Sequence, residues 1–345
     1  MKLIVQIPCL NEASTLPVTL AEIPRRIEGI DTVEVLVVDD GSTDGSSTVA
    51  RQHGAEHVIR FHSNRGLAAT FKAGIDAALA LGADIIVNTD ADNQYPGSAI
   101  PMLVAPILAG DADMVIGDRQ VKQVEHFSFT KKQLQAIGSW VVRQVSGTQV
   151  TDTTSGFRAF SREAARRLNV ISDYTYTLET IIQAGKKRLA IAQVPIEPRD
   201  TRPSRLIRST WDYVKRSAAT IVRIYAMYEP LKIFSYVGAA FLLAGTALSV
   251  RYLYYVWIGE GAGHVQSVMA ATALLILAFS FFLFGLVADT MASVRRLVEE
   301  VLYRQRVLEE HVLGKDRRKA ETSEAGVDAE NVPPEGSREK QETPR

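Results

Sequence analysis

The chain has 345 residues, 46% of them hydrophobic and 23% charged, which excludes a wholly disordered, fibrous or collagen-like protein. Its 39 Lys and Arg balance 39 Asp and Glu, so the basic footprint of a nucleic-acid-coating protein is absent and no nucleic-acid partner is expected. The one cysteine, Cys9, excludes an intrachain disulfide and a cysteine-rich zinc site.

Strand-like and helix-like stretches alternate from the start. Residues 3–7 are a short apolar run closed by Pro8, and 16–27 carry apolar residues at helical spacing. Residues 33–38 read as a buried strand ended by Asp39-Asp40-Gly41. Residues 44–53 open on Asp44, an N-cap candidate, and read as helix. A short strand at 58–61 precedes an alanine-rich helix at 67–81. Strands follow at 85–88, ended by Thr89-Asp90-Ala91-Asp92, and at 114–116, ended by Gly117-Asp118-Arg119. This order predicts an α/β, Rossmann-like fold: a mostly parallel sheet covered by helices. Residues 1–10 do not read as a signal peptide, because the apolar run is short and Pro8 interrupts it.

The second half changes character. Between 202 and 232, seven Arg and Lys oppose only Asp212 and Glu229, with Trp211, Tyr213, Ile221, Ile224 and Tyr225 among them. Such a basic amphipathic segment reads either as lying on an anionic leaflet or as packing on the preceding domain. Residues 233–250 and 265–287 contain no charge. At about 1.5 Å per residue the second run reaches about 34 Å, enough for a bilayer core of about 30 Å. Tyr252, Tyr254, Tyr255 and Trp257 form an aromatic belt at the far end of the first run. The alternative is a pair of helices buried in a large soluble core. The connecting residues 259–264 carry no Lys or Arg whereas both flanks carry many, so both termini are expected in the cytosol and the protein in the cell membrane. Val294, Val298, Val301, Leu308 and Val312 follow steps of four and three, with Gln305 between, the pattern of a short coiled-coil seam. The expected organisation is an α/β domain over 1–206, an amphipathic helix over 207–230, transmembrane helices over 231–258 and 265–289, a cytosolic helix over 290–313 and a disordered tail over 314–345.

Ligands of an open α/β sheet sit beyond the carboxyl ends of its strands, and four polar clusters fall there. They are Pro8-Cys9-Leu10-Asn11-Glu12, Asp39-Asp40-Gly41-Ser42, Asp90-Ala91-Asp92-Asn93-Gln94 and Gly117-Asp118-Arg119. Any one of them could be a turn and cap; four on one edge point to a site. Asp90 and Asp92 are two apart, so in an extended segment they point the same way. Two converging hard oxygen ligands suit Mg²⁺ or Mn²⁺. No glycine-rich dinucleotide fingerprint or Walker A lysine motif occurs.

Ile7-Pro8-Cys9-Leu10-Asn11-Glu12, Val38-Asp39-Asp40-Gly41-Ser42-Thr43-Asp44, Asn64-Arg65-Gly66-Leu67, Asp90-Ala91-Asp92-Asn93-Gln94 and Ser155-Gly156-Phe157-Arg158 together resemble the inverting glycosyltransferases of family 2. Within it the chain is most similar to the polyprenyl-phosphate glycosyltransferase group, including its two-span bacterial members. The resemblance implies a GT-A fold, a nucleotide-sugar donor, a polyprenyl phosphate acceptor and assembly as a homo-oligomer. It implies that Pro8, Asn11, Glu12 and Asp39 line the nucleotide pocket, with Asp40 near the ribose or in the supporting turn. Asp90, Asp92 and Gln94 would hold the metal and the diphosphate. Arg119 and Arg158 would be catalytic, with Arg158 facing donor or acceptor phosphates, and Arg199 would bind the donor. Ser204 and Arg205 would lie in a loop closing over it, and Arg205 and Arg208 on the acceptor's approach. The plain alternatives are a structural ion pair for Arg158 and a surface position for Arg199. Asp152 is a candidate base or acceptor-orienting residue, or else the cap of the turn at 151–154. The resemblance leans to a UDP-hexose donor, with GDP-mannose as the alternative. A processive polysaccharide synthase would carry Gln-x-x-Arg-Trp, but Trp140, Trp211 and Trp257 follow Ser139, Thr210 and Val256. A non-catalytic membrane scaffold is the remaining alternative, against which stands the retention of every motif acid.

Overall fold

A computed structural model describes residues 1–119, 129–172, 175–199 and 210–330. Strands β1 (Lys2–Cys9) and β2 (Thr32–Asp39) are apolar almost throughout because helices cover both faces of a parallel sheet. Alternate side chains divide between two cores. Leu3, Val5, Ile7, Val35 and Val37 face one, Ile4, Leu36 and Val38 the other, and all are fully buried. The chain continues through α1 (Leu16–Glu22), α2 (Ser46–Gln52), β3 (His57–Arg60), α3 (Leu67–Ala80), β4 (Ile85–Asn88), α4 (Ile100–Leu108) and β5 (Met114–Asp118). Then come α5 (Phe129–Ser146), β6 (Arg158–Ser161), α6 (Arg162–Arg167), α7 (Thr177–Lys186) and β7 (Ile191–Pro195). The seven strands lie in the order β3-β2-β1-β4-β6-β5-β7, with β6 antiparallel to both neighbours.

Two local differences from the sequence reading have plain causes. Helix α1 stops at Glu22 instead of reaching 27, because Pro24 forces Ile23 out of the helical region, to ψ 120°. Asp44 lies one residue before the N-cap of α2, yet its carboxylate accepts the Ser46 N–H at 3.0 Å and does the capping from there.

Beyond the sheet, α8 (Thr210–Tyr228) is separated from α9 (Pro230–Trp257) by the break at Glu229, and Pro230 occupies the first turn of α9, where its missing N–H costs nothing. Gly259, at φ +86°, closes α9 while the amides of Gly259 and Glu260 bond back to Val256 and Tyr255. The return helix α10 (Val265–Glu330) packs along α9 through small residues seven apart: Gly238 and Gly245 on one side, Ala271, Ala278 and Gly285 on the other. A Cβ on Gly238 would stand 3.2 Å from the Ala278 carbonyl oxygen, so glycine is what permits the approach. Both helices are long and apolar enough to cross a membrane and are mostly exposed, which the soluble-core alternative does not accommodate. Helix α10 passes the boundary expected at 314 and runs to Glu330, since 315–330 contains no proline and is rich in Ala, Glu, Lys and Arg.

After the apolar stretch, α10 returns to the sheet domain. Glu310 accepts two hydrogen bonds from Arg166, at 2.9 and 2.6 Å. Arg306 donates to the carbonyls of Arg166 and Leu168, at 2.9 and 2.8 Å, and to Asp76. Lys187 pairs with Glu299 at 3.0 Å.

Candidate active site

The strand order reverses between β1 and β4, and it is beyond the carboxyl edge at such a point that open α/β sheets hold their ligands. The chain leaving β1 carries Asn11 and Glu12, that leaving β2 carries Asp39 and Asp40, and that leaving β4 carries Asp90 and Asp92. Pro8 is buried in the last turn of β1, opposite Val38.

Most of the acids on the β1–β2 side hold the loops themselves. Asp39 is fully buried; it accepts the Ser42 N–H at 2.7 Å and a hydrogen bond from the Ser47 hydroxyl, and Arg60 stands 3.8 Å away. Asp40 accepts the amides of Arg65 and Gly66, at 2.6 and 2.9 Å, which puts it in the supporting turn at the start of α3. Asn11, at φ +56°, accepts the Thr43 amide at 2.9 Å. Glu12 accepts from the Thr15 hydroxyl at 2.9 Å. Gly41 has no room for a side chain: a Cβ would stand 2.8 Å from the backbone of Ser63, so the β2–α2 and β3–α3 loops touch there.

The β4 side is built differently. Asp90 lies against Gly156, where a Cβ would come within 2.9 Å of a carboxylate oxygen and 3.0 Å of the Tyr176 hydroxyl. The glycine of Ser155-Gly156-Phe157-Arg158 is thus what lets the acid sit there. Burial, reinforced by the neighbouring charge of Asp92, pushes the Asp90 carboxyl up to about 7. The chain turns after Asp90 instead of staying extended: Asp92 accepts the Gln94 amide at 3.1 Å, and Asn93 takes φ +58°. The two acids therefore meet through a turn, not through strand alternation. Thr19 of α1 donates to the Ala91 carbonyl at 3.2 Å and ties this loop to the sheet domain.

A polar network that the sequence reading missed underlies this wall. Gln6 donates to Asn88 at 2.8 Å, and Asn88 donates to the Gly156 carbonyl at 2.8 Å and the Tyr176 hydroxyl at 2.9 Å. Tyr95 stacks on Phe157 and accepts the Gly156 amide at 3.2 Å. The available signal was Gln6 and Asn88 themselves, polar residues inside apolar strand runs.

Arg119 and Asp152 form a buried pair. The guanidinium donates to both carboxylate oxygens, at 2.7 and 3.0 Å, and to the Thr154 hydroxyl at 2.6 Å. Asp152 also accepts the Thr154 and Ser155 amides, at 3.2 and 3.1 Å, so it caps the turn as well. Burial alone would raise its carboxyl, but the charge and hydrogen bonds of Arg119 outweigh this and hold it below the usual range. That environment does not make a proton acceptor.

Arg158 is fully buried, and its bonds go to the carbonyls of Ser155, Thr177 and Thr153 and to the Thr180 hydroxyl. The expectation that it faces phosphates, and the alternative of a carboxylate partner, are both corrected: its guanidinium ties the β6 turn to α7. Burial lowers its proton affinity to about 10, still charged at neutral pH. Arg199 reaches the site only through its backbone amide, which donates to the Gln94 carbonyl at 2.9 Å; its side chain turns outward to Glu22 at 2.7 and 2.8 Å. Ser204, Arg205 and Arg208 lie outside the described residues.

Whether a divalent cation fits is decided by charge. Asp90 and Asp92 are neighbouring acids, and burial, reinforced by the charge of Asp92, lifts the Asp90 carboxyl to about 7, a condition that a hard cation relieves. Among the described residues no group of three or more His, Cys, Asp or Glu could hold an ion, so the two carboxylates would share it with oxygens from a ligand.

The glycosyl transferase family 2 model matches residues 4–168. An undecaprenyl-phosphate mannosyltransferase of Micrococcus luteus is 30% identical over 57% of this chain and 83% of its own length. A UDP-N-acetylglucosamine–dolichyl-phosphate N-acetylglucosaminyltransferase of Methanococcus voltae is 28% identical over 55% of this chain and 83% of its own. In structure, glucosyl-3-phosphoglycerate synthase of Mycobacterium tuberculosis, solved with Mn²⁺, UDP-glucose and phosphoglyceric acid, superposes with a TM-score of 0.53 at 24% identity, over 65% of this chain and 80% of its own. That likeness is one of fold.

Proposed function

The chain belongs to glycosyl transferase family 2, and from that premise we propose that it moves a hexose from a nucleoside-diphosphate sugar to the phosphate of a membrane polyprenyl phosphate. It is a glycosyltransferase with a GT-A domain followed by two apolar helices that could span a membrane. The acceptor class is supported by the names of the Micrococcus and Methanococcus relatives, which act on undecaprenyl and dolichyl phosphates.

One observation of the site carries the choice of acceptor. Asp152, the candidate base of the sequence analysis, is committed to Arg119. A sugar hydroxyl acceptor needs a base; a phosphate monoester, with a second pKa of about 6, is largely dianionic at pH 7 and needs none. In the proposed reaction a phosphate oxygen of the acceptor bonds to the anomeric carbon from the face opposite the leaving group. The bond from that carbon to the diphosphate breaks, and the nucleoside diphosphate departs with the electron pair. The product is an inverted polyprenyl-phosphate hexose.

The demand on the protein is then to bring anions together. Asp90 and Asp92 would hold Mg²⁺ or Mn²⁺, which when bound supplies positive charge against the leaving diphosphate. Arg119, oriented by Asp152 and Thr154, adds a fixed cation within electrostatic reach of Asp90. Asn11, Glu12 and Asp39 shape the nucleotide end of the site, and Asp40 fixes the loop beside it. The loop 259–264, which carries no Lys or Arg, lies between basic flanks, and this supports a catalytic domain on the cytosolic side.

A donor screen tests the reading. The full chain in detergent, supplied with a C55 polyprenyl phosphate and Mn²⁺, is offered radiolabelled UDP-glucose, UDP-N-acetylglucosamine and GDP-mannose in turn. Label entering the lipid phase from one of them supports the reaction and identifies the donor. Label entering a water-soluble polymer, or none entering lipid from any donor of the class, contradicts it.

A further inference from the structure

Helix α7 touches the wall beside Asp90 at one end and both apolar helices at the other. Its residues Thr177–Ala184 are all buried, Glu179 and Gln183 included, so it runs through the interior without a solvent face. At its amino end stands Tyr176, stacked on Phe71 with ring centres 3.9 Å apart. The Tyr176 hydroxyl accepts from Asn88 at 2.9 Å and donates to the Gly156 carbonyl at 3.3 Å. Arg158 donates to the Thr177 carbonyl at 2.8 Å, which joins the β6 turn to the first turn of α7. There is no spare room here, since one added Cβ at Gly156 would crowd Asp90 and Tyr176 together.

At the carboxyl end, two consecutive lysines reach the two apolar helices separately. Lys186 donates at 2.9 Å to Glu229, the residue at which α8 gives way to α9, and lies over the Tyr225 ring. Lys187 pairs with Glu299 of α10 at 3.0 Å and donates to the Arg167 carbonyl. Glu299 also accepts from Arg295 at 2.9 Å and from the Tyr228 hydroxyl at 3.4 Å, so α7, α8 and α10 meet at one carboxylate. The two lysine side chains are only 21% and 17% exposed, which shields these pairs from the screening that weakens surface ion pairs.

Ten residues of α-helix span about 15 Å. A rod packed on all sides in an interior of low compressibility moves as one body, and rigid elements held at both ends are what carry coupling between distant sites. We propose that Lys186 and Lys187 are positioning residues: through α7 they tie the wall beside Asp90 to the seating of the two apolar helices. Releasing their grip frees the carboxyl end of α7 and displaces Tyr176 at the other end. A change in how the apolar helices sit is then felt at the donor side of the site. The consequence for a cation rests on the reading of Asp90 given above; the strut itself does not.

The test uses the full chain in lipid nanodiscs and the double variant Lys186→Met, Lys187→Met, which keeps the length of both stems and removes both charges. Amide hydrogen exchange of 153–157 should rise at least threefold in it, and the double variant Lys186→Arg, Lys187→Arg should restore the wild-type rate. Arg166→Met, which breaks the ion pair of α6 with Glu310 and leaves α7 alone, should not change exchange there. Mn²⁺ binding, read in the presence of UDP or GDP from the loss of the free-ion electron paramagnetic resonance signal, should weaken several-fold in the methionine variant and not in Arg166→Met. Should the double variant not fold, Lys187→Met alone is put to the same measurements. Faster exchange confined to 184–191 and the apolar helices, or an equal rise at 153–157 in Arg166→Met, overturns the strut. Faster exchange at 153–157 with unchanged Mn²⁺ affinity overturns the positioning role. A wild type that binds no Mn²⁺ counts against the cation reading of Asp90, and the exchange result still decides the strut.

Discussion

At pH 8, without a cation, the ionised Asp90 carboxylate sits beside Asp92 in a pocket walled by Gly156 and Tyr176. Its ordinary value is near 3.8 and its folded value about 7, so across that window the folded chain holds a proton that the unfolded chain has released. Raising the pH through the window therefore destabilises the metal-free protein. Asp90→Asn should raise the unfolding temperature of chelator-treated protein at pH 8, with a smaller gain at pH 4, while lowering transfer by orders of magnitude. Mn²⁺ should raise the unfolding temperature of the wild type and not that of the variant. Thermal scans with chelator and with Mn²⁺ check both; a variant no more stable than wild type at pH 8 would remove Asp90 as the strained group. Asp152 gives the opposite outcome. Removing one partner of a buried ion pair costs on the order of 3–5 kcal/mol, so Asp152→Ala should unfold at much lower denaturant concentration. A residue acting only as a base would lose turnover and keep its stability.

The β6 turn and the docked end of α10 make the predictions at the scale of elements. Gly156→Ala would push a methyl group against Asp90 and Tyr176, so transfer and the Mn²⁺-induced rise in unfolding temperature should both fall while the circular dichroism spectrum stays that of the wild type. Arg306 bonds the carbonyls that end α6 from a helix more than a hundred residues later, a cation at a helix carboxyl end. Arg306→Ala should increase hydrogen exchange about tenfold in α6 and in 295–310, with β1 unchanged; unchanged exchange in α6 would show that α10 is not held there. These elements also mark what the sequence discloses. Strands β1, β2 and β4 and their terminal acids were legible, because apolar runs of strand length ending in Asp and Gly have few other readings. The antiparallel β6 was not: four residues following a turn carry no periodicity, and Arg158 reads as a phosphate ligand until its bonds to three carbonyls are seen. Asp152 was legible as important but not in its role, since its commitment to Arg119 spans 33 residues of sequence.

For the whole molecule, the proposed membrane reading has the contacts of α10 with the sheet domain return the chain to the side from which it left, with the loop between α9 and α10 on the far side. Gly261→Cys in intact cells should react with a membrane-impermeant thiol reagent, and a cysteine introduced at Glu300 should not; labelling of position 300 from outside would reject this topology. In the proposed reading the prenyl chain remains in the bilayer while its phosphate reacts; moving that chain to water would cost about 0.8 kcal/mol per CH₂. Everything then turns on the phosphate being the nucleophile. The most direct measurement compares polyprenyl phosphate with polyprenol of the same length as acceptors for the full chain in bilayers, following labelled hexose by mass spectrometry of the lipid product. The account predicts a polyprenyl-phosphate hexose from the first, none when Asp92 is replaced by Ala, and no product from the second. Glycosylation of polyprenol at a comparable rate would contradict it.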